Sequence, residues 1–252
     1  MDYKESITVV NPQEQFKEVK LIEPSEHHFL LLAAEVDSNV FPFPIRSSKQ
    51  KKSLLHCAKE LCQEMEQFNE IIDATVFKAR LTPPGRGQYI KEHEDEIHIA
   101  NYDVVVLIEQ KSPLRNDSLN EKIKSLKTQM QQVSKHVYFQ EATNLKRIGP
   151  VDHTRQGVFL FNFFHGALLK QTIGIWHFTA GWFMQETNLD NSTVLLPNDP
   201  ETSDYTIINH CRWDSMKDIL PALIFKRTFK SYVLDNFYAN KVGAMPILYE
   251  LA

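Results

Sequence analysis

The order of apolar segments constrains this chain more than any single motif does. Residues 29–36 form a continuous apolar run of strand length, and Leu54, Ala58, Leu61 and Met65 then recur at helical spacing, with Leu55 and Cys62 widening the stripe. Residues 74–81 alternate into a second strand that Pro83-Pro84-Gly85 stops, and residues 102–109 are the clearest strand in the sequence. Leu119, Ile123, Leu126, Met130, Val133 and Val137 follow at steps of four and three, a helix whose start carries the capping-box pattern Ser118-Leu119-Asn120-Glu121. The second half repeats this order. Residues 157–164 read as a strand, Leu169, Ile173, Trp176, Ala180 and Phe183 as a helix face, and 192–196 and 204–212 as two strands. Residues 219–237 read as a helix in two pieces around Pro221 and Thr228, and 245–249 as a closing strand.

Local echoes support a duplication: Asn144-Leu145-Lys146-Arg147-Ile148-Gly149 is similar to Tyr238-Ala239-Asn240-Lys241-Val242-Gly243, and Ala74-Thr75-Val76 to Ser192-Thr193-Val194. Two β-α-β-β-α-β units are two ferredoxin-like repeats. Each antiparallel sheet carries helices on one face and needs cover on the other, and the sister sheet is the obvious cover. The expected fold is therefore α+β, a barrel closed within one chain with helices outside. Residues 1–26 read as an extension that packs late or frays, 27–150 as the first repeat and 151–252 as the second. The loop 86–101, with Glu92, His93, Glu94, Asp95, Glu96 and His98, reads as solvated charge.

Composition removes several classes of function. With 28 basic and 32 acidic residues the net charge is −4, which argues against a nucleic-acid partner. No G-x-G-x-x-G and no phosphate-binding P-loop pattern occurs. The charged start Met1-Asp2-Tyr3-Lys4-Glu5 is not a secretory signal, and no window approaches about 18 uninterrupted apolar residues, so no membrane span is expected. Three cysteines, Cys57, Cys62 and Cys211, suit a reducing, cytoplasmic compartment. Cys57 and Cys62 point about 140° apart on a helix, and His27, His28, His93 and His98 show no zinc spacing, so no metal set is read. There is no G-x-S-x-G elbow and no activated cysteine signature.

Over residues 29–252 the element order, with the strand Tyr205-Thr206-Ile207-Ile208-Asn209-His210-Cys211-Arg212-Trp213, resembles the dimeric α+β barrel superfamily. That superfamily includes antibiotic-biosynthesis monooxygenase-like proteins, stress-responsive barrels and chlorite dismutase-like haem proteins. The stretch 151–162, together with 240–246, resembles a bacterial family of duplicated barrels that has no established activity to carry over. The resemblance implies the fold, and three readings of function. The first is a monooxygenase-like enzyme oxidising an electron-rich aromatic without a bound cofactor. The second is a non-catalytic ligand-binding or interaction protein. The third is haem binding through His177 or His210, since haem-binding relatives use a helix histidine as axial ligand.

The residues that could carry such chemistry concentrate in the second repeat. On one strand His210 and Arg212 share a face, opposite Cys211 and Trp213. His210 suits a general base and Arg212 the holder of a delocalised anion. Trp176, Trp182 and Trp213 would wall a pocket for a small aromatic or anionic molecule, joined by His177 and Asn191. His153 and Arg155, in Asp152-His153-Thr154-Arg155, are either part of that site or a turn that ties the linker down. The bland alternative is a satisfied polar layer with tryptophans as ordinary core. The first repeat has only Ile108-Glu109-Gln110-Lys111 at the matching place, so one site per chain is expected. Exposed sheet edges leave homo-oligomerisation open.

Overall fold

The computed structural model describes residues 6–37, 42, 47–113 and 116–252. The charged residues 1–5, and Pro44 of the loop after the first strand, lie outside the described residues.

Eight strands form one closed barrel in the order β1-β3-β2-β8-β5-β7-β6-β4. The first repeat supplies β1 (His28–Glu35), α1 (Lys49–Met65), β2 (Ile71–Leu81), α2 (Gln88–Glu92), β3 (Val104–Gln110), α3 (Asp117–Val133) and β4 (His136–Gly149). The second supplies β5 (Val158–Gly166), α4 (Leu169–Thr187), β6 (Ser192–Pro197), β7 (Ile207–Trp213), α5 (Met216–Phe225), a π-helical turn (Phe229–Leu234), α6 (Asp235–Ala239) and β8 (Val242–Leu251). Within each repeat the sheet order is the same, β4-β1-β3-β2 and β8-β5-β7-β6. The two sheets are then joined at their outer strands, β2 to β8 and β4 to β6, both antiparallel. Every strand therefore has two neighbours, and the sheet edges that might have joined two chains are used within one.

Strand alternation sends side chains to three separate cores. The barrel interior is packed with Phe77, Phe159, Phe161, Phe163, Met245 and Tyr249. The first sheet buries Leu30, Leu32, Val104 and Val106 against α1 and α3. The second buries Leu160, Ile207, Cys211 and Trp213 against α4 and α5. Beneath α1 lies a buried ion pair, Lys51 Nζ to Asp103 Oδ2 at 3.1 Å, and Asp103 also accepts the Val36 and Asp37 amides. No helix among the described residues is long and apolar enough to cross a membrane.

Several boundaries differ from expectation. The second helix stops at Val133, where Ser134 turns extended and Lys135 donates to the Glu35 carbonyl. Val137 thus belongs to β4, because a last step of four fits either element. The cap of that helix is Asn116, whose side chain accepts from Ser118 and Leu119, not Ser118. The loop 86–101 is not simply solvated charge: it contains α2, and Ile90, Ile97 and Ala100 close over the barrel interior while Glu94, Asp95 and Glu96 stay exposed. The helix runs through Pro221 and breaks at Lys226, which is extended.

The N-terminal segment is the largest correction. It is a strap bound across the second repeat. Asn240 accepts the Thr8 amide and donates to the Thr8 carbonyl, both at 2.7 Å, and Asn236 does the same for Val10 at 2.9 and 3.1 Å. Gly181 lets the Lys17 carbonyl come where a Cβ would sit at 2.3 Å. The strap is held through these side-chain amides and through Ile7, Phe16 and Leu21, which pack on the second repeat at irregular spacing and so leave no hydrophobic period to read. Removing either clamp strands buried polar groups, so Asn236→Ala and Asn240→Ala should each lower stability by about 1–3 kcal/mol in urea unfolding. A segment that frays would lose nothing.

Candidate functional site

The barrel interior holds His210, on the β7 face shared with Ile208 and Arg212. His210 is 1% exposed and lies flat on Phe161, ring centroids 4.1 Å apart. Its Nδ1 is 2.9 Å from the Leu160 carbonyl, and its Nε2 is 2.8 Å from Nε2 of His153. His153, from the segment between the repeats, reaches Oδ2 of Asp73 with Nδ1 at 2.8 Å. Asp73 stands where the β2–β3 register shifts, a bulge that re-aims its side chain, and it also accepts the Thr75 hydroxyl at 2.9 Å. One residue from each repeat and one from the linker make a single file of groups.

The proton count of this file follows from its ends. A carbonyl and a carboxylate both accept, so each Nδ1 is the donor in its bond. Two imidazoles with Nδ1–H would then face each other with lone pairs at 2.8 Å, which repel. The contact becomes a hydrogen bond once one further proton sits between the two Nε2 atoms. With that proton the pair carries three ring protons, next to the Asp73 carboxylate. Burial, and then the charge on His153, push the His210 imidazole well below its usual range, with the Leu160 carbonyl opposing.

Two spaces flank the loop that carries His153. Inside the barrel is a chamber of about 60 Å³ lined by Phe29, Leu107, Glu109, Val151, His153 and His210. Outside is an open cleft of about 530 Å³ lined by Arg155, Asp190, Asn191, Arg212, Trp213 and Asp214 among others. Arg212 spends its guanidinium on Asp214 at 2.8 Å and the Gln156 carbonyl at 2.7 Å. The adjacent Gly157 has no room for a side chain, since a Cβ would lie 2.6 Å from Arg212 Nε. Asn191 pairs with both backbone groups of Arg212 at 2.8 Å. Arg155 donates to Asp152 at 2.7 Å, and the Thr154 hydroxyl, with Arg155, holds the Asp152 carboxyl well below the usual range.

The structure brings His153, His210 and Arg212 to one region, and leaves the tryptophans elsewhere. Trp176, Trp182 and Trp213 lie between the second sheet and its helices, on the face opposite His210. The Trp182 and Trp213 indoles donate to Thr228 and Thr187. Cavities in that layer are about 30 Å³, room for two or so waters. Only Trp213 reaches the cleft. His177 faces Glu18 of the strap at 3.6 Å. Asp73 escaped the sequence reading because its only signal is a lone carboxylate at the start of an apolar strand.

A second polar group sits at the other end of the barrel. Tyr102 and Tyr205 share a hydrogen bond at 2.8 Å, Tyr249 donates to the Tyr102 carbonyl, and Tyr138 meets Ser203 at 2.8 Å. Burial raises all four phenols above their usual range. Glu35, His98 and His136 border them. Burial, followed by the neighbouring His98, lowers the His136 imidazole.

No protein-family model matches the chain, and no curated protein matches it. Solved structures do. An anthrone oxidase-like protein superposes with a TM-score of 0.61 at 10% identity, covering 90% of this chain and 92% of its own. A candidate monooxygenase from Fusobacterium nucleatum gives 0.55 at 8% identity, covering 89% and 92%. A dye-decolorizing protein from V. cholerae gives 0.52 at 10% identity, covering 92% and 95%. With the closed eight-stranded sheet, these place the chain in the dimeric α+β barrel fold, both halves supplied by one polypeptide.

In the closed arrangement haem does not fit at His210 or His177. His210 has both ring nitrogens engaged, and His177 lies under the strap. The cavities by the tryptophans are about 30 Å³, whereas even benzene takes a cavity of about 150 Å³. Among the described residues, no histidine, cysteine, methionine or tyrosine lines the large cleft.

A pH prediction follows from the His210 shift. The folded chain disfavours a proton on His210 that the unfolded chain binds near pH 6.5, so this contribution is complete above about pH 6.5 and is lost as pH falls. The loss is at most about 1.4 kcal/mol per pH unit for this group. His210→Phe keeps the ring stack and removes the titration. Its stability should fall less steeply than the wild type's between pH 6.5 and 5, measured by urea unfolding. Equal slopes would contradict the assignment.

Proposed function

We propose that the chain is a monooxygenase-like enzyme acting on a small electron-rich aromatic molecule, with His153 exchanging protons with substrate. The observation that carries the reading is the unbroken file from Asp73 through His153 and His210 to the Leu160 carbonyl. A general acid–base needs a titratable ring held by a second group, and here the Asp73 carboxylate orients the His153 imidazole while the buried His210 ring meets it at Nε2. The fold likeness to an anthrone oxidase-like protein suggests the substrate class. An activated CH₂ between aromatic rings and dioxygen give a carbonyl and water, CH₂ + O₂ → C=O + H₂O, which balances without an external reductant. The steps it requires of the protein are proton removal from carbon and proton return to oxygen.

In the closed arrangement both nitrogens of His153 are engaged. His210 is fixed by β7 and Leu160, whereas His153 rides on the linker, so the pair opens from the His153 side. The chamber, at about 60 Å³, admits dioxygen or a few waters and no aromatic ring. The cleft, at about 530 Å³, has the volume of a small-molecule site. Displacing the loop that separates them frees His153 and joins the two spaces in one motion. Arg212, already bound to Asp214, acts here as a strut and not as an anion holder.

The test is oxygen consumption and quinone formation with anthrone as probe. His153→Gln should lower kcat by about 10²-fold or more with little change in Tm, and Asp73→Asn should lower it in the same direction. Unaltered turnover in both variants would overturn the assignment. Binding of the probe without any turnover in the wild type would assign the barrel a non-catalytic role.

A further inference from the structure

We infer that Glu35, His98 and His136 form a binding site for a divalent first-row transition-metal ion, at the end of the barrel opposite the histidine relay. β1 runs from the relay end to this one, about 23 Å for its eight residues. Glu35 closes the strand, His98 comes from the loop that covers the barrel end, and His136 opens β4. These three residues are 63 and 38 positions apart in the sequence, so no spacing reveals them.

One carboxylate oxygen and one ring nitrogen from each histidine lie within 4.8 Å of one another. The ligand atoms of a tetrahedral ion with bonds near 2.0–2.1 Å are about 3.3 Å apart. Glu35 Oε1 and His98 Nε2 are already at 3.0 Å. The side chains of Glu35 and His98 are 14% and 29% exposed, which leaves the site open to an arriving ion.

The surroundings prepare the donors. The Asn101 amide donates to Glu35 Oε1 at 2.9 Å and fixes the carboxylate, while Lys135 N–H donates to the Glu35 carbonyl at 2.8 Å and ties β4 to β1 beside it. Tyr205 donates its hydroxyl hydrogen to the His98 carbonyl at 3.3 Å. Tyr102 must then donate to Tyr205, and its oxygen accepts from Nδ1 of His136 at 3.4 Å. This phenol chain sets the His136 tautomer and leaves Nε2 with its lone pair, the role that outer partners play around bound metals. The two imidazoles are stacked with centroids 3.6 Å apart and planes 21° apart. A metal lies in the plane of each imidazole it binds, so binding fans the two rings apart.

The donor set selects the ion. Two imidazoles and one carboxylate suit zinc, cobalt, nickel or ferrous iron, whereas calcium and magnesium favour all-oxygen sets and thiolate-seeking ions find no cysteine in this donor set. Three protein ligands leave at least one position for water, as open metal sites do. The arriving ion takes the place of the hydrogen between His98 Nε2 and Glu35 Oε1, and the neutral imidazole keeps its one ring proton on Nδ1.

The test is a titration of chelator-treated full-length protein with Co²⁺, followed by its visible absorption and by equilibrium dialysis. The expected result is a single saturating site per chain whose visible band is abolished by Zn²⁺. His98→Ala and His136→Ala should each weaken binding about 10-fold or more, and Glu35→Gln, which keeps the shape of the site, should do the same. The exposed His56–Glu60 pair on α1 is the control, and His56→Ala should leave the titration unchanged. No saturable Co²⁺ binding, or binding unchanged in the folded Glu35→Gln and His136→Ala variants, would overturn the site.

Discussion

Everything in this molecule depends on how two four-stranded sheets dispose of their edges. Each repeat alone would expose outer strands with unpaired backbone groups and one apolar face. Pairing β2 with β8 and β4 with β6 removes all four edges at once and encloses both faces. The enclosed space is too narrow for a channel and fills with aromatic rings. Polar groups are then admissible only where strands stop and the rings give way, and that is where the structure keeps them. The histidine relay occupies one end, and the tyrosines with Glu35, His98 and His136 the other.

The same closure explains why the relay is a single site. Asp73 comes from the first repeat, His210 from the second and His153 from the chain that joins them. No isolated repeat could build it, and the twofold likeness of the halves does not extend to it. Barrel closure brings the bulged start of β2 within reach of the linker, and the linker within reach of β7. Charge follows the same division. In the cleft Arg155 pairs with Asp152 and Arg212 with Asp214, whereas the interior file runs from Asp73 to His210 through ring nitrogens.

Fold was far more legible than site, for physical reasons. Apolar period and strand length report which residues face a core, and they mark Leu30 to Ala34, the α3 stripe and the β7 alternation plainly. They also separate the faces of β7, placing His210 and Arg212 away from Trp213. What they do not report is which interior a face meets. Tryptophans close to His210 in sequence therefore suggested walls for one pocket, although a sheet lies between them. The strap was not legible because Asn236 and Asn240 hold it through backbone groups that every residue has, and its apolar anchors Ile7, Phe16 and Leu21 follow no helix or strand period. Asp73 and the Glu35–His98–His136 group were invisible for a related reason: their neighbours are made by topology, across spans where no sequence spacing applies.

The central claim is that His153 and His210 share one proton more than two neutral imidazoles would hold. Nitrogen-15 NMR of histidine-labelled protein at pH 7 measures this directly, with His153→Gln and His210→Phe supplying the assignments. Three ring N–H protons on the pair, both Nδ1 atoms protonated and one proton lying between the two Nε2 atoms, is the predicted result. Two ring protons, one on each neutral imidazole, would contradict it and leave the file as packing without a transferable charge.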